Sequence, residues 1–292
     1  MRDFISRVPI EKGWSGDMKY CVTHAAGTRY LLRVSPASRY EHRKALYEIL
    51  HEVAATGIPM NQPIGFWESG EGVCMLFSWI GGEDLTEGAL SHLPAAEQYA
   101  FGQRAGEILR KIHTVPAPSG QEDWEPRFNR KIDMKIRKYH ECGLRFEGDR
   151  HVLAYIEQNR RLLKGRPQCF QHGDYHANNI MIENGELRII DFDRYDFGDP
   201  WEEFNRIVIS AQDSPYFALG QMRGYFNGDP PMEFFRLLAL YIAVNTLSNI
   251  TWAKPFGQSQ LDFMMQLNKD ILRWYDNMRN PVPGWYLKGE MT

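Results

Sequence analysis

The order of strand-like and helix-like segments is the feature of this 292-residue sequence that most constrains its fold. Residues 19–24 and 29–35 are rich in β-branched and aromatic residues and flank a short turn, which predicts a hairpin. Across residues 39–56 the apolar side chains recur at spacings of three and four, which predicts one helix. Two more strands are predicted at residues 62–69 and 73–80. The amino-terminal region is therefore predicted to form a β-β-α-β-β unit.

Beyond a glycine-containing linker at residues 81–85, the periodicity predicts a mostly helical region. One segment interrupts the helices, because residues 180–192 form two apolar runs around an Asn-Gly pair, the strongest short signal for a β-hairpin. We therefore expect an α+β protein with a small β-rich unit over residues 1–80 and a larger, mostly helical unit over residues 81–292. The predicted helices cover residues 94–115, 127–142, 149–164, 200–211, 230–253 and 259–278.

Charge and cysteine usage exclude several classes of protein. The chain has 34 basic and 37 acidic residues in no long like-charge block, so we do not expect it to bind nucleic acid. The four cysteines are far apart and form no CxxC pair, which argues against a zinc knuckle or a disulfide framework and favours a cytoplasmic location. The longest apolar run, at residues 234–244, is too short to cross a bilayer, and no signal core precedes it. We expect no membrane association, and the sequence implies no protein partner.

Residues 172–193, HGDYHANNIMIENGELRIIDFD, concentrate histidines, carboxylates and asparagines between apolar runs. One chemistry that uses such a set is metal-dependent hydrolysis, because His172, Asp174 and His176 have the HxDxH ligand spacing. A dinuclear site would need a further ligand just upstream, and the other histidines are scattered singly through the sequence. The hydrolase is therefore the weaker alternative.

Phosphoryl transfer explains more of the polar residues in the segment 172–193 than metal-dependent hydrolysis does. It requires a residue beside the attacking hydroxyl group, magnesium ligands, and cationic or backbone donors around the phosphates. We assign Asp174 as the acceptor of the hydroxyl proton, and Asn179 and Asp191 as the neutral and anionic ligands of Mg²⁺. The predicted hairpin would set the spacing between these two ligands.

In this order, and followed by GDPWEEF at residues 198–204, the motifs resemble the aminoglycoside phosphotransferase family, small-molecule kinases with a protein-kinase-like fold. HGDYHANN matches the family signature HxDxxxxN, and IIDFD matches its strand-borne aspartate. The resemblance covers nearly the whole sequence. It implies a two-lobed fold and transfer of a phosphoryl group from ATP or GTP, with Mg²⁺, to a hydroxyl of an aminoglycoside antibiotic. It also implies that His172 packs within the catalytic loop and that Asp199 braces the loop.

The amino-terminal region departs from the family pattern. KGWSGD at residues 12–17 replaces a full GxGxxG loop, and its Gly13, Ser15 and Gly16 would let backbone N–H groups approach the nucleotide phosphates. Arg33 stands where the family more often has lysine, and its guanidinium keeps the charge and can fork onto two phosphate oxygens. We assign Glu48, inside the following helix, as the ion-pair partner of Arg33. The alternatives on the same helix are Glu41 and Glu52.

MLFSWIGG at residues 75–82 resembles the family segment that crosses between the lobes. In that segment the adenine edge pairs with backbone groups. We assign the Ser78 C=O and the Ile80 N–H to this contact.

The catalytic residues do not fix the acceptor, because folds of this kind act on many hydroxyl compounds. Besides an aminoglycoside, a macrolide or a hydroxylated metabolite such as choline, a sugar or homoserine would use the same residues. A nucleotide-binding protein with little transferase activity is a further alternative, motivated by Arg33 and the short glycine loop. The aromatic residues that could floor a macrolide pocket are Tyr241, Trp252, Phe256 and Phe263. The acidic residues that could grip a polycation are Asp193, Asp196, Glu202, Glu203 and Asp213.

Overall fold

The computed structural model describes residues 4–11, 16–85 and 90–288. The strands are β1 (Phe4–Pro9), β2 (Met18–His24), β3 (Arg29–Ser35), β4 (Pro63–Ser69), β5 (Gly72–Ser78), β6 (Glu83–Asp84), β7 (Cys169–Gln171), β8 (Ile180–Glu183), β9 (Glu186–Ile189) and β10 (Asp196–Gly198). The helices are α1 (Tyr40–Ala55), α2 (Ala95–Ile112), α3 (Trp124–Glu141), α4 (Asp149–Asn159), α5 (Ile207–Asp213), α6 (Pro215–Phe226), α7 (Met232–Ala253), α8 (Gln258–Trp274) and α9 (Gly284–Lys288).

The protein divides into two units, which together give the α+β class predicted from the sequence. The prediction assigned every residue after 80 to the helical part, but residues 179–195 group with the β-rich unit instead. The first unit consists of Met1–Leu85 and Asn179–Tyr195, and the second of Thr86–Asn178 and Asp196–Thr292.

The first unit is built on a five-stranded antiparallel sheet with the order β1-β2-β3-β5-β4. The predicted β-β-α-β-β order is confirmed for β2 to β5, and α1 contacts β4 and β5. Strand β1 was not predicted. Its apolar residues Ile5 and Val8 are exposed, whereas Phe4 packs against the core of the sheet, so the strand is held by backbone pairing with β2 and by one apolar contact.

The Asn-Gly hairpin is confirmed as β8 and β9, which join β6 in a second sheet of the first unit. Asn184 and Gly185 both have positive φ, 54° and 79°, as a two-residue hairpin turn requires. The Ile189 N–H donates to the Pro59 C=O at 2.8 Å, which fastens β9 to the segment that follows α1. The hairpin therefore carries Asn179 and Asp191 at its two ends, as the sequence predicted.

Helix α7 forms the centre of the second unit, where it contacts α3, α4 and α8. Among the described residues, one helical segment, Met232–Phe256, is long and apolar enough to suit a membrane span, and α7 belongs to it. Its 18-residue window has a mean hydropathy of 1.3, and 72% of that window is buried inside the molecule, as is usual for a central core helix.

Helix α6 was not predicted, because glycines at positions 220 and 224 weaken the local signal for a helix. Those glycines instead allow close packing against α2, which has glycines of its own at positions 102 and 106. A Cβ atom at Gly102 would collide with the Phe217 C=O, and one at Gly106 with the Gln221 C=O. At the start of α6, the Ser214 Oγ accepts a hydrogen bond from the Phe217 N–H at 2.9 Å, a favourable amino-terminal cap.

Candidate active site

The candidate catalytic loop, residues 172–178, follows β7 in the second unit and is fixed by side chains that face its backbone. The buried Tyr175 hydroxyl donates to the Ala105 C=O of α2 at 2.7 Å. The Ala177 N–H donates to the Ser210 Oγ of α5 at 3.1 Å. Two helices therefore hold the second half of the loop in a single conformation.

The first half of the loop is fixed by a glutamate and a histidine. The Gly173 N–H donates to Glu203 Oε1 at 3.0 Å. His172 is fully buried, and its Nδ1 accepts from the Asp174 N–H at 3.3 Å. Both contacts are local supports for the backbone that carries Asp174.

Asp199 lies behind the loop and is fully buried. Its carboxylate accepts from Arg166 Nε at 2.6 Å and from the Tyr241 hydroxyl at 2.6 Å. Its backbone carbonyl oxygen accepts from Gln171 Nε2 at 2.8 Å, next to the start of the loop. A buried carboxylate with this many donors acts as a structural brace.

The Asp174 side chain is 18% exposed and has a cation on one side. Arg206 Nε lies 3.2 Å from Asp174 Oδ1, and His176 Nε2 lies 3.6 Å from the same oxygen. The arginine orients the carboxylate at the surface of the loop. Within the described ranges, no three His, Cys, Asp or Glu side chains are grouped so as to hold a metal ion, which gives the HxDxH hydrolase alternative no support.

In the first unit, Arg33 lies on β3 and is 7% exposed at its side chain. Its Nη2 donates to Asp17 Oδ2 at 2.9 Å and also to Asp193. Its Nη1 lies 3.6 Å from Asp191 Oδ1. Burial works to lower the pKa of Arg33, but the three carboxylates outweigh burial and raise it.

A second arginine, which the sequence analysis did not identify, joins this cluster from α1. Arg43 is fully buried, and its Nε donates to Ser35 Oγ at 2.8 Å. Its Nη1 donates to Asp193 Oδ1 and its Nη2 to Asp17 Oδ2, both at 2.5 Å. Burial works to raise the pKa of Asp193, but Arg33 and Arg43 outweigh burial and lower it. The two arginines and two aspartates form one network.

The assignment of Glu48 as the partner of Arg33 is wrong. The Glu48 side chain is 65% exposed and lies 4.0 Å from Lys44 on the same helix. The buried face of α1 carries Arg43, Leu46, Leu50 and Val53. The sequence did contain a signal for the buried ion pairs of Arg43, because this arginine lies in the apolar stripe of a helix. A buried guanidinium needs carboxylate partners.

Asp191 ends β9 with a left-handed backbone, φ 66° and ψ 62°, which is uncommon for a residue other than glycine. Its Oδ1 is buried and accepts no hydrogen bond within the described residues, and Lys19 Nζ lies 3.9 Å from its Oδ2. The Ile190 N–H donates to the Asn179 C=O at 3.1 Å, which ties the backbone beside Asp191 to Asn179. A carboxylate oxygen that accepts no hydrogen bond, although Arg33 Nη1 lies 3.6 Å from it, suits a Mg²⁺ ion, which prefers oxygen ligands. The asparagine tied to the neighbouring residue could supply a second oxygen.

The other assigned nucleotide contacts have different outcomes. Gly13 and Ser15 lie outside the described residues, and Gly16 is exposed beside Asp17. The Ser78 C=O accepts from Asn61 Nδ2 at 2.9 Å. The Ile80 N–H donates no hydrogen bond to any residue that the structure describes. Both backbone assignments stay predictions.

Four of the acidic residues assigned to grip a polycation already have partners. Asp193 binds the two arginines, Asp196 binds Arg127, and Glu202 lies 3.2 Å from Lys131. The fourth, Glu203, accepts from the Gly173 N–H. Of the aromatic residues assigned to a macrolide pocket, Tyr241 is a core residue. The other three, Trp252, Phe256 and Phe263, are exposed.

Removal of the Arg33 side chain is expected to weaken nucleotide binding. Arg33→Ala loses charge-assisted hydrogen bonds worth about 1.5–3 kcal/mol, so we expect about a ten- to hundredfold loss in nucleotide affinity. Arg33→Lys should recover part of the loss, because it keeps the charge but not the fork. Titration with nucleotide measures the effect, and Glu48→Ala is the control, expected to match the wild type because Glu48 is exposed.

A double-mutant cycle tests whether Arg33 and Asp193 act as a pair. The loss in the double Arg33→Ala, Asp193→Ala variant should be smaller than the sum of the single losses, because each single change already breaks the shared contact. Unchanged nucleotide affinity in a folded Arg33→Ala protein would remove Arg33 from the nucleotide site.

Comparisons with known proteins agree with the motif analysis. The family model of the phosphotransferase enzyme family, APH, matches residues 6–235. No curated protein gives a sequence match. A GDP complex of an aminoglycoside 2′-phosphotransferase-IIIa variant is 15% identical, with a TM-score of 0.70 over 96% of this chain and 94% of that one.

Two further solved structures belong to the same fold. One is a ternary complex of a thermostable aminoglycoside phosphotransferase APH(4)-Ia variant with ADP and hygromycin B, at 18% identity and a TM-score of 0.65 over 92% of this chain and 94% of that one. The other is a choline/ethanolamine kinase family protein from Mesorhizobium loti, at 17% identity and a TM-score of 0.66 over 94% of this chain and 90% of that one. At these identities the likeness is one of fold, and it confirms the two-lobed, protein-kinase-like α+β class.

Proposed function

Because the protein belongs to the phosphotransferase enzyme family, we propose that it transfers the γ-phosphoryl group of ATP or GTP to a hydroxyl group of a small molecule. The observation that carries the proposal is the set Asp174, Asn179 and Asp191 on a braced loop and a closed hairpin. Each of these residues has the chemistry that phosphoryl transfer needs at its place in the sequence.

Asp174 would accept the proton of the attacking hydroxyl group. Arg206 orients its carboxylate, and the contacts of Gly173, Tyr175 and Ala177 hold the backbone around it. A carboxylate held in one place can accept the proton while it keeps the acceptor hydroxyl in the orientation required for attack. Both effects lower the barrier to phosphoryl transfer.

Asn179 and Asp191 would hold a Mg²⁺ ion, which supplies positive charge to the phosphate oxygens of the nucleotide when bound. This role is supported by Asp191 Oδ1, which accepts no hydrogen bond from a described residue, although Arg33 Nη1 lies 3.6 Å away. Arg33 would place its positive charge near the phosphate oxygens of the nucleotide. Arg43 touches Asp17 and Asp193 and would position Arg33 through them.

The adenine or guanine base would pair with the Ser78 C=O and the Ile80 N–H. The related structures named above contain GDP or ADP, which supports a nucleotide as the phosphoryl donor. The choice between ATP and GTP depends on the edge of the base that meets these two groups, since adenine offers an amino donor where guanine offers a carbonyl.

The family resemblance favours an aminoglycoside as the acceptor, and one related structure holds hygromycin B. Another belongs to a choline/ethanolamine kinase family, so the same fold also serves small metabolites. A nucleotide-binding protein with little turnover is the second candidate. It is favoured by one observation, namely that both carboxylates bound by Arg33 Nη2 compete with a phosphate for the same donor.

A phosphate-transfer screen tests the proposal. The purified protein is incubated with Mg²⁺, ATP or GTP, and separate aminoglycosides, macrolides, choline, sugars and homoserine, and phosphorylated products are detected by mass spectrometry. We expect one acceptor class to gain a single phosphate group in a Mg²⁺-dependent reaction. Tight nucleotide binding without product across the whole panel would favour the second candidate.

A further inference from the structure

One carboxylate oxygen bridges the two buried arginines of the first unit. Asp17 Oδ2 accepts from Arg33 Nη2 at 2.9 Å and from Arg43 Nη2 at 2.5 Å. Guanidinium groups bind phosphate oxygens through the same charge-assisted hydrogen bonds. The Asp17 carboxylate therefore lies where an oxygen of a phosphate group would also be bound.

The strand register explains why this carboxylate reaches Arg33. Asp17 ends the segment KGWSGD, which the sequence assigns to the nucleotide phosphates, and β2 begins at the next residue. Lys19 of β2 pairs directly with Arg33 of β3. Residues two apart on a strand share a face, so Asp17 becomes a diagonal neighbour of Arg33. The segment assigned to the phosphates thus contributes its own anion to the cation assigned to them.

The Asp17 carboxylate is buried but incompletely satisfied. None of its side chain is exposed, and its Oδ1 accepts no hydrogen bond from any residue that the structure describes. Arg39 Nη1 lies 3.6 Å from this oxygen, which is too far for a hydrogen bond. A buried carboxylate oxygen without a donor has lost its hydration and gained nothing in return. Release of Asp17 to water would restore that hydration.

Arg43 would keep its orientation if Asp17 were released. Its Nε donates to Ser35 Oγ at 2.8 Å, and its Nη1 donates to Asp193 Oδ1 at 2.5 Å. Only its Nη2 is used for Asp17 Oδ2. Exchange of Asp17 for a phosphate group would therefore change one side of the guanidinium and leave the other fixed.

We propose that Arg33 and Arg43 together bind a phosphate group of the nucleotide, and that Asp17 occupies this site until the phosphate displaces it. Asp17 is then an autoinhibitory contact, and Arg43 contacts the phosphate in addition to supporting Arg33. The inference rests on the nucleotide binding in the proposed function. Its consequence is that the contacts of Asp17 must break before the phosphate binds, which lowers the apparent affinity for nucleotide.

Asp17→Asn tests the competition, because asparagine keeps the shape of the side chain but removes the charge that attracts the arginines. The full-length protein with Mg²⁺ is titrated calorimetrically with a non-hydrolysable analogue of ATP or GTP, and with the matching nucleoside. We expect the affinity for the triphosphate to rise about tenfold or more, and the affinity for the nucleoside to stay unchanged. Glu68→Gln is the control, since Glu68 is an exposed carboxylate of the same unit and should change neither affinity.

Thermal melting gives a second measurement that does not require a stable variant. Asp17→Asn removes two ion pairs from the free protein and should lower its melting temperature. A fixed excess of the triphosphate should then raise the melting temperature more in Asp17→Asn than in the wild type, because stabilisation by a ligand grows with its affinity. A triphosphate affinity that is unchanged or lower in Asp17→Asn, or an equal gain for the nucleoside, would overturn the inference.

Arg43→Lys in the Asp17→Asn background tests the second arginine. Lysine keeps the charge but cannot contact Ser35, Asp193 and a phosphate with one planar fork. Most of the gain in triphosphate affinity should therefore be lost, with the nucleoside affinity unchanged. Full retention of the gain would overturn the shared phosphate site.

Phosphate transfer by the wild type separates this inference from the proposed function. Transfer to an acceptor, together with no gain in triphosphate affinity in Asp17→Asn, would support the phosphotransferase and overturn the competition. A gain in triphosphate affinity without transfer to any acceptor of the wider screen would support the competition and contradict the phosphotransferase. Absence of nucleotide binding by both proteins would overturn both.

Discussion

Asp174→Asn is expected to reduce turnover by about 10²- to 10⁴-fold, the contribution of a positioned general base. Asparagine has nearly the same shape and can still contact Arg206, but it cannot accept the proton of the acceptor hydroxyl. Nucleotide affinity should stay close to that of the wild type, because Asp174 is assigned to the acceptor and not to the phosphates. Single-turnover rates and nucleotide titration with the same protein measure the two effects separately.

Asp262→Asn is the control for this substitution, because Asp262 is an exposed carboxylate of the same unit and should leave the rate unchanged. The assignment of Asp174 fails if turnover in Asp174→Asn stays within about tenfold of the wild type, a difference of about 1.4 kcal/mol in the barrier. Equal losses in turnover and nucleotide affinity would also contradict it, because they would place Asp174 beside the phosphates.

The order of the elements and the hairpin that carries Asn179 and Asp191 could be predicted because both are encoded locally. The Asn-Gly turn selects its own hairpin, and the apolar period of α1 selects its own helix. The helix α6 could not be predicted from local signals. Its glycines are required by the close packing against the glycines of α2, which are more than one hundred residues away in sequence.

The charges of the first unit show a second limit of sequence reasoning. The family pattern led us to look for a glutamate partner of Arg33 on α1, but the structure supplies Asp17 and Asp193 and adds Arg43. These residues are separated by up to 176 positions, from Asp17 to Asp193, and no spacing rule connects them. What could have been noticed is that Arg43 interrupts an apolar stripe, which marks a buried ion pair without naming its partners.

Asp191→Asn is expected to remove most of the gain in nucleotide affinity that Mg²⁺ provides, and to reduce turnover as well. The substitution keeps the shape of the side chain and suits the left-handed backbone at φ 66°, which asparagine tolerates better than alanine does. It removes the anionic oxygen that would bind the metal, so we expect about a tenfold or greater loss in affinity with Mg²⁺ and a small effect without it.

Nucleotide titrations with and without Mg²⁺ test this expectation, because the metal-dependent part of the affinity is the difference between them. Glu186→Gln is the control, since Glu186 is an exposed carboxylate of the same hairpin and its loss should leave that difference unchanged. Removal of the Asp191 charge also relieves the contacts with Arg33 and Lys19, which would alter nucleotide affinity equally with and without the metal. An equal change in both titrations would therefore show that Asp191 organises the cationic cluster, and that the magnesium assignment is wrong.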